Sequence, residues 1–159
     1  MARGNEIIVS AEPKGHFEEC IISGTPKPGT VMQVKAATEM VGGRFTYEVY
    51  NAALDGDQRG IAVLLPDHLQ GRLATTAYAD AERGFLYWPC PGEELNMLLA
   101  NIAGTGDTFA IGDLLMVDDG TGKLIATSGS PESEPFICVE TVGTALTADT
   151  LTHCKFTGY

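Results

Sequence analysis

At 159 residues and 16.8 kDa the chain has the length of one domain, able to bury about 70% of its unfolded surface around one core without disulfides. A 44% hydrophobic content with 19 glycines and 8 prolines excludes a disordered chain. The formal charge of -11 repels phosphate backbones and anionic lipid at long range, so no nucleic acid and no membrane is an expected partner.

That charge is uneven. Residues 1–72 hold 7 basic and 9 acidic groups, and residues 73–159 hold 3 and 12. The N-terminal part is therefore the better suited to approach an acidic partner, while a plain solvated face also accounts for the rest. The longest apolar run, Ile61 to Leu65, is ended by Pro66, far short of the ~20 residues that cross a bilayer. Residues 1–10 show no apolar core of a secretory signal, and a cytoplasmic site of synthesis is expected.

In chain order, residues 1–29 are the least periodic, and Thr25-Pro26-Lys27-Pro28 can neither continue a helix nor donate many backbone hydrogen bonds. They read as an extended arm, or equally as an edge strand with loops. Val31 to Ala36 alternates, as does Phe45 to Tyr50, where Phe45, Tyr47 and Val49 share one face; both are expected strands. Ile61 to Leu65 reads as a short strand buried on both faces. Phe85 to Trp88 looks extended. Glu93 to Ala100 is ambiguous: two glutamates after Pro91-Gly92 suit a helix start, but Leu95, Met97 and Leu99 alternate with Glu94 and Asn96, which favours a strand.

Leu114 to Val117 and Lys123 to Thr127, separated by Asp118-Asp119-Gly120-Thr121-Gly122, form an expected hairpin. Phe136 to Val142 and Leu151 to Phe156 complete a set of about eight short strands. The expected fold is all-β: a single small β-barrel or β-sandwich domain over residues 30–159 with an extended N-terminal arm over 1–29. No 20–50-residue repeat is visible, which excludes a solenoid or propeller.

No motif of the sequence assembles a chemical site. Cys20, Cys90, Cys138 and Cys154 have no CxxC spacing, and His16, His68 and His153 are scattered, so no metal is expected and the thiols read as buried or idle. Gly120-Thr121-Gly122-Lys123 lacks the first glycine and the trailing Ser/Thr of a phosphate loop. Asp55 to Gly60 starts like a calcium loop but has Arg59 and Pro66 where ligands belong. Ser128 and Ser130 stand in no nucleophile elbow. Glu18-Glu19, Glu93-Glu94 and Asp118-Asp119 are immediate neighbours, which point apart on a strand. Tyr50, Tyr78, Phe85, Tyr87 and Trp88 read as core. No catalysis and no cofactor is expected, and such a domain works through its surface.

Gly29-Thr30-Val31-Met32-Gln33-Val34, Pro91-Gly92-Glu93-Glu94-Leu95-Asn96, the run Ile111 to Leu124 and a last strand pair from Cys138 to Tyr159 resemble the capsid cement, or head decoration, proteins of tailed bacteriophages, across residues 24–159. The resemblance implies a β-rich domain on the capsid exterior, made in the host cytoplasm, a trimer or dimer that clamps major capsid protein subunits through an arm ordering on contact. On that reading the capsid or oligomer interface draws on Lys14, Phe17, Pro26, Lys27, Pro28, Lys35 and Arg44. The alternatives are another phage structural piece, such as a tail or baseplate β-domain, and a small-ligand-binding β-barrel using Tyr87, Trp88 and the histidines.

Overall fold

The computed structural model describes residues 6–10, 12–35, 40–51, 61–100, 108–126, 135–142 and 148–158. These residues are all-β apart from one 3-10 turn at His68–Gln70, whose start is capped by the Asp67 carboxylate, and no helix among them is long and apolar enough to cross a membrane. Their ten strands close into two five-stranded barrels. The first is built from β1 (His16–Ile22), β2 (Val31–Val34), β3 (Thr46–Val49), β4 (Ala62–Leu65) and β5 (Arg83–Trp88). The second is built from β6 (Glu94–Leu99), β7 (Leu114–Val117), β8 (Leu124–Ala126), β9 (Phe136–Cys138) and β10 (Thr150–Phe156).

Strands form within the expected segments, at 31–34, 46–49, 62–65, 83–88, 136–138 and 150–156, the one expected over 136–142 ending at Cys138 and Ala36 lying outside the described residues; Glu94 to Leu99 is a strand. The expected hairpin forms over the described residues 114–126, with Met116 opposite Ile125. Where one domain of about eight strands was expected, the chain divides its strands between two barrels. The Asp55 to Gly60 loop and the Ser128 to Pro131 stretch lie outside the described residues.

Both barrels carry one topology. Counted within each barrel the strand order is first, third, second, fourth, fifth. The first and third strands are parallel and every other pair is antiparallel. The registers match residue for residue: Ile22 opposes Tyr47 as Leu99 opposes Leu124, Val34 opposes Tyr47 as Val117 opposes Leu124, and Val31 opposes Val63 as Leu114 opposes Ile137. The connecting hydrogen bonds match too. Ser23 N donates to Tyr47 O at 2.7 Å as Ala100 N does to Leu124 O at 2.9 Å; Lys35 N donates to Thr46 O at 2.8 Å as Asp118 N does to Lys123 O at 2.7 Å. Gly29 and Gly112, each with positive φ, turn the chain into the second strand of their barrel. The repeat unit is a whole barrel, far longer than the periods that mark solenoids.

The cores explain the apolar runs. Cys20, Ile22, Met32, Tyr47, Ala62, Leu64 and Leu86 fill the first barrel. The alternate residues of its strands, Val31, Val63, Leu65 and Tyr87, join Leu95, Met97, Leu99, Leu115, Phe136 and Phe156 in the core shared with the second barrel. Strands β2, β4 and β6 therefore lose their solvent faces, and strict alternation disappears from their burial. Phe45, expected to share the face of Tyr47, is instead exposed, because it lies before β3 in the β2–β3 connection, outside the ladder.

The barrels are joined through backbone. Gly29 O accepts from Leu98 N at 3.0 Å, Val31 N donates to Gly122 O at 2.7 Å, and Gly120 N donates to Tyr50 O at 3.1 Å. In the first barrel the counterpart of Leu98, Ile21, donates to its own hairpin at Phe45 O. The start of β2 thus enters the seam between β6 and β8, which keeps a single registered pair. Gly122 is required there: its φ is +63°, and a Cβ would lie 2.4 Å from Val31 O.

The N-terminal segment departs from the expected arm. Residues 16–22 are β1, closed between β3 and β5. Upstream, Ile8 bridges Leu95, Val9 N donates to Glu94 O at 2.9 Å, and Asn96 N donates to Ile7 O at 2.7 Å. Residues 6–10 are strapped along the open half of β6 because its backbone groups there need partners. Residues 6–10 serve the second barrel and residues 16–22 the first, so no single period runs through them.

Candidate functional site

Between strap and β1 the chain is fastened by a buried carboxylate. Glu93, in the short link between barrels, accepts from Tyr87 Oη at 2.6 Å, from Cys90 N at 2.6 Å and from Lys14 N. Tyr87 Oη in turn accepts from Gly15 N at 2.8 Å. Burial works to raise the Glu93 pKa, but the Tyr87 hydroxyl and the amides of Lys14, Cys90 and Gly15 outweigh it and hold the carboxyl below its ordinary range. Burial, then the bond to Glu93, pushes the Tyr87 phenol up to about 12. A carboxylate saturated by donors is a structural clasp and a poor proton carrier.

Glu18 plays a parallel part, accepting from Tyr47 Oη at 3.0 Å and Trp88 Nε1 at 3.1 Å through one oxygen. Tyr87 and Trp88, the residues a ligand-binding barrel would use, are thus engaged by Glu93 and Glu18. His153 meets Glu94 at 2.9 Å. The Cys20 thiol is pushed up to about 12, chiefly by burial, and so is no nucleophile at neutral pH.

The surface is more informative than the interior. Among the described residues the exposed large hydrophobics are Phe17, Val34, Met40, Val41, Phe45, Leu69, Leu73 and Ile111. Val34, Met40, Val41 and Phe45 all belong to the β2–β3 hairpin, and Val41 is 55% exposed. The Val41–Arg44 bridge around Gly42-Gly43 makes the turn that presents them. Arg44 reaches Glu19 on β1 at 2.6 Å, and Arg83 reaches the same carboxylate at 3.1 Å. Lys35 Nζ donates to Ser23 Oγ at 2.9 Å. The described part of the hairpin thus exposes four apolar side chains on the less acidic barrel, beside Lys35 and the Glu19-paired Arg44.

The expected contact residues divide accordingly. Lys35 and Arg44 lie beside these apolar side chains. Lys14 is exposed beside the Glu93 clasp. Phe17, 52% exposed, leans on Tyr87 with ring centres 4.9 Å apart and edges a cavity of about 170 Å³ with Ile7, Ile8, Leu65 and His68. Lys27 is exposed at a cleft of about 320 Å³ between the barrels, near the Lys123–Asp149 ion pair. Pro26 and Pro28 are buried, Pro26 at the edge of the same cleft. Val34, Met40 and Val41 are not among the contact residues expected from the sequence, although Met40 and Val41 directly before Gly42-Gly43 are a legible sign of a displayed turn. Comparison of the chain with models of protein families and with curated proteins finds no match.

Proposed function

We propose that the chain is a structural virion protein that binds the outer surface of an assembled phage capsid and stabilises contacts between major capsid subunits, without catalysing a reaction. The observation that carries this reading is the exposure of Val34, Met40, Val41 and Phe45 on the β2–β3 hairpin of the less acidic barrel, with Lys35 and Arg44 beside them. Covering each of these half-exposed side chains contributes on the order of 1 kcal/mol, a modest figure per copy that a repeating lattice multiplies. Binding to the closed shell alone raises the cost of separating its subunits. The acidic second barrel keeps crowded copies soluble. The sequence resemblance to head decoration proteins supports the same assignment.

The test uses empty capsids that lack the protein. Wild-type chain should co-sediment with them and raise the temperature at which they come apart. A Val41→Asp, Phe45→Asp double variant should keep its own melting temperature and lose co-sedimentation; undiminished binding refutes the hairpin as the contact. Deleting residues 1–29 is no substitute, because it removes β1 and opens the first barrel. A copy number near that of the major capsid protein separates this role from a tail or baseplate component.

A further inference from the structure

Cys138 on β9 and Cys154 on β10 stand directly opposite one another. Val139 N donates to His153 O at 3.0 Å and Thr157 N to Pro135 O at 2.8 Å, so the hydrogen-bonded pairs of this ladder fall on the odd positions of β10. Cys138 and Cys154 are therefore a non-hydrogen-bonded pair, the kind with Cα atoms about 4.5 Å apart and side chains closest. That separation lies within the range of about 4.4–6.8 Å that a disulfide spans. Both side chains are fully buried in the core of the second barrel. The matching positions of the first barrel, by register, are Leu64 and Leu86, which lie together in its core. Each cysteine is a free thiol that donates along its own strand, Cys138 Sγ to Glu140 O at 2.9 Å and Cys154 Sγ to Thr152 O at 3.4 Å.

We propose that Cys138 and Cys154 are a modification site: a reversible disulfide that staples β9 to β10 when the chain meets a small disulfide such as oxidised glutathione. One cysteine, as thiolate, attacks a glutathione sulfur, breaking its S–S bond and releasing one reduced glutathione. The second cysteine then attacks the protein-bound sulfur and expels the other glutathione. Two protein thiols are oxidised to one disulfide, one glutathione disulfide is reduced to two thiols, and the two cysteine protons end on the two glutathiones. Burial raises both thiols, so reaction proceeds through local opening of the three-residue strand β9. Cys20 faces Gly84 across its ladder and Cys90 lies in the link between barrels, so neither has a cysteine opposite. The inference concerns the chain alone and does not rest on capsid binding.

The full chain is held in oxidised glutathione with urea below its unfolding transition, then alkylated, weighed intact and mapped. The expected result is a loss of two hydrogens, a fall from four alkylatable thiols to two, a cross-link joining the peptides of Cys138 and Cys154, and a melting temperature that rises and returns with dithiothreitol. Cys154→Val, which preserves the apolar packing, should abolish the mass loss. Four alkylatable thiols after treatment, a link to Cys20 or Cys90, or a lowered melting temperature would each overturn the assignment.

Discussion

Replacing Glu93 by Gln tests whether the clasp holds the two barrels and the N-terminal segment together. The change keeps the shape but removes the charge, and the new NH2 must face a donor: either Cys90 N on one oxygen, or Lys14 N and Tyr87 Oη on the other. A donor–donor conflict at a buried site costs about 1–3 kcal/mol, and weakening the remaining charge-assisted bonds adds about 1 kcal/mol. A loss of about 3 kcal/mol at pH 7 is expected, or roughly 6–12 °C in melting temperature for a chain of this size. The folded carboxyl titrates below its unfolded value of about 4.3, so the unfolded state binds more protons in that window. The stabilisation is complete above the unfolded pKa and is lost as pH falls through the folded one. Urea unfolding followed by Trp88 fluorescence from pH 7 to pH 3 should show the two proteins converging at acid pH. A variant within about 0.5 kcal/mol of the parent at pH 7, or a gap that does not narrow in acid, would refute the clasp.

Two substitutions test the joints of the fold. Gly15→Ala would place a Cβ 2.2 Å from Trp88 O and 2.5 Å from the Tyr87 ring, and should cost about 2–4 kcal/mol in chemical denaturation; a neutral result would show that β1 has room to shift. Gly122→Ala combines positive φ with a 2.4 Å clash on Val31 O, and should lose a similar amount while separating the unfolding of the barrels in calorimetry. A single unshifted transition would contradict the junction described.

The sequence by itself determined the all-β class, the position of the later strands and the 114–127 hairpin, because these depend on local alternation and turn chemistry. It also determined the charge asymmetry between the two parts of the chain. Only the tertiary structure decided that there are two barrels of one topology. Their equivalence lies in register, such as Ile22–Tyr47 against Leu99–Leu124, and not in shared residue types. Tertiary packing likewise turned the seeming arm into a strap and a strand: residues 6–10 and 16–22 satisfy backbone groups on β6, β3 and β5 that are distant in the chain. Glu18-Glu19 and Glu93-Glu94 read only as neighbours that point apart, yet folding surrounds Glu18 and Glu93 with donors from remote segments. The exposure of Val34, Met40, Val41 and Phe45 was half legible, since exposure of an apolar residue depends on what covers it. Local patterns specify elements, whereas which faces meet and which carboxylates are enclosed depends on contacts that exist only after the chain has closed.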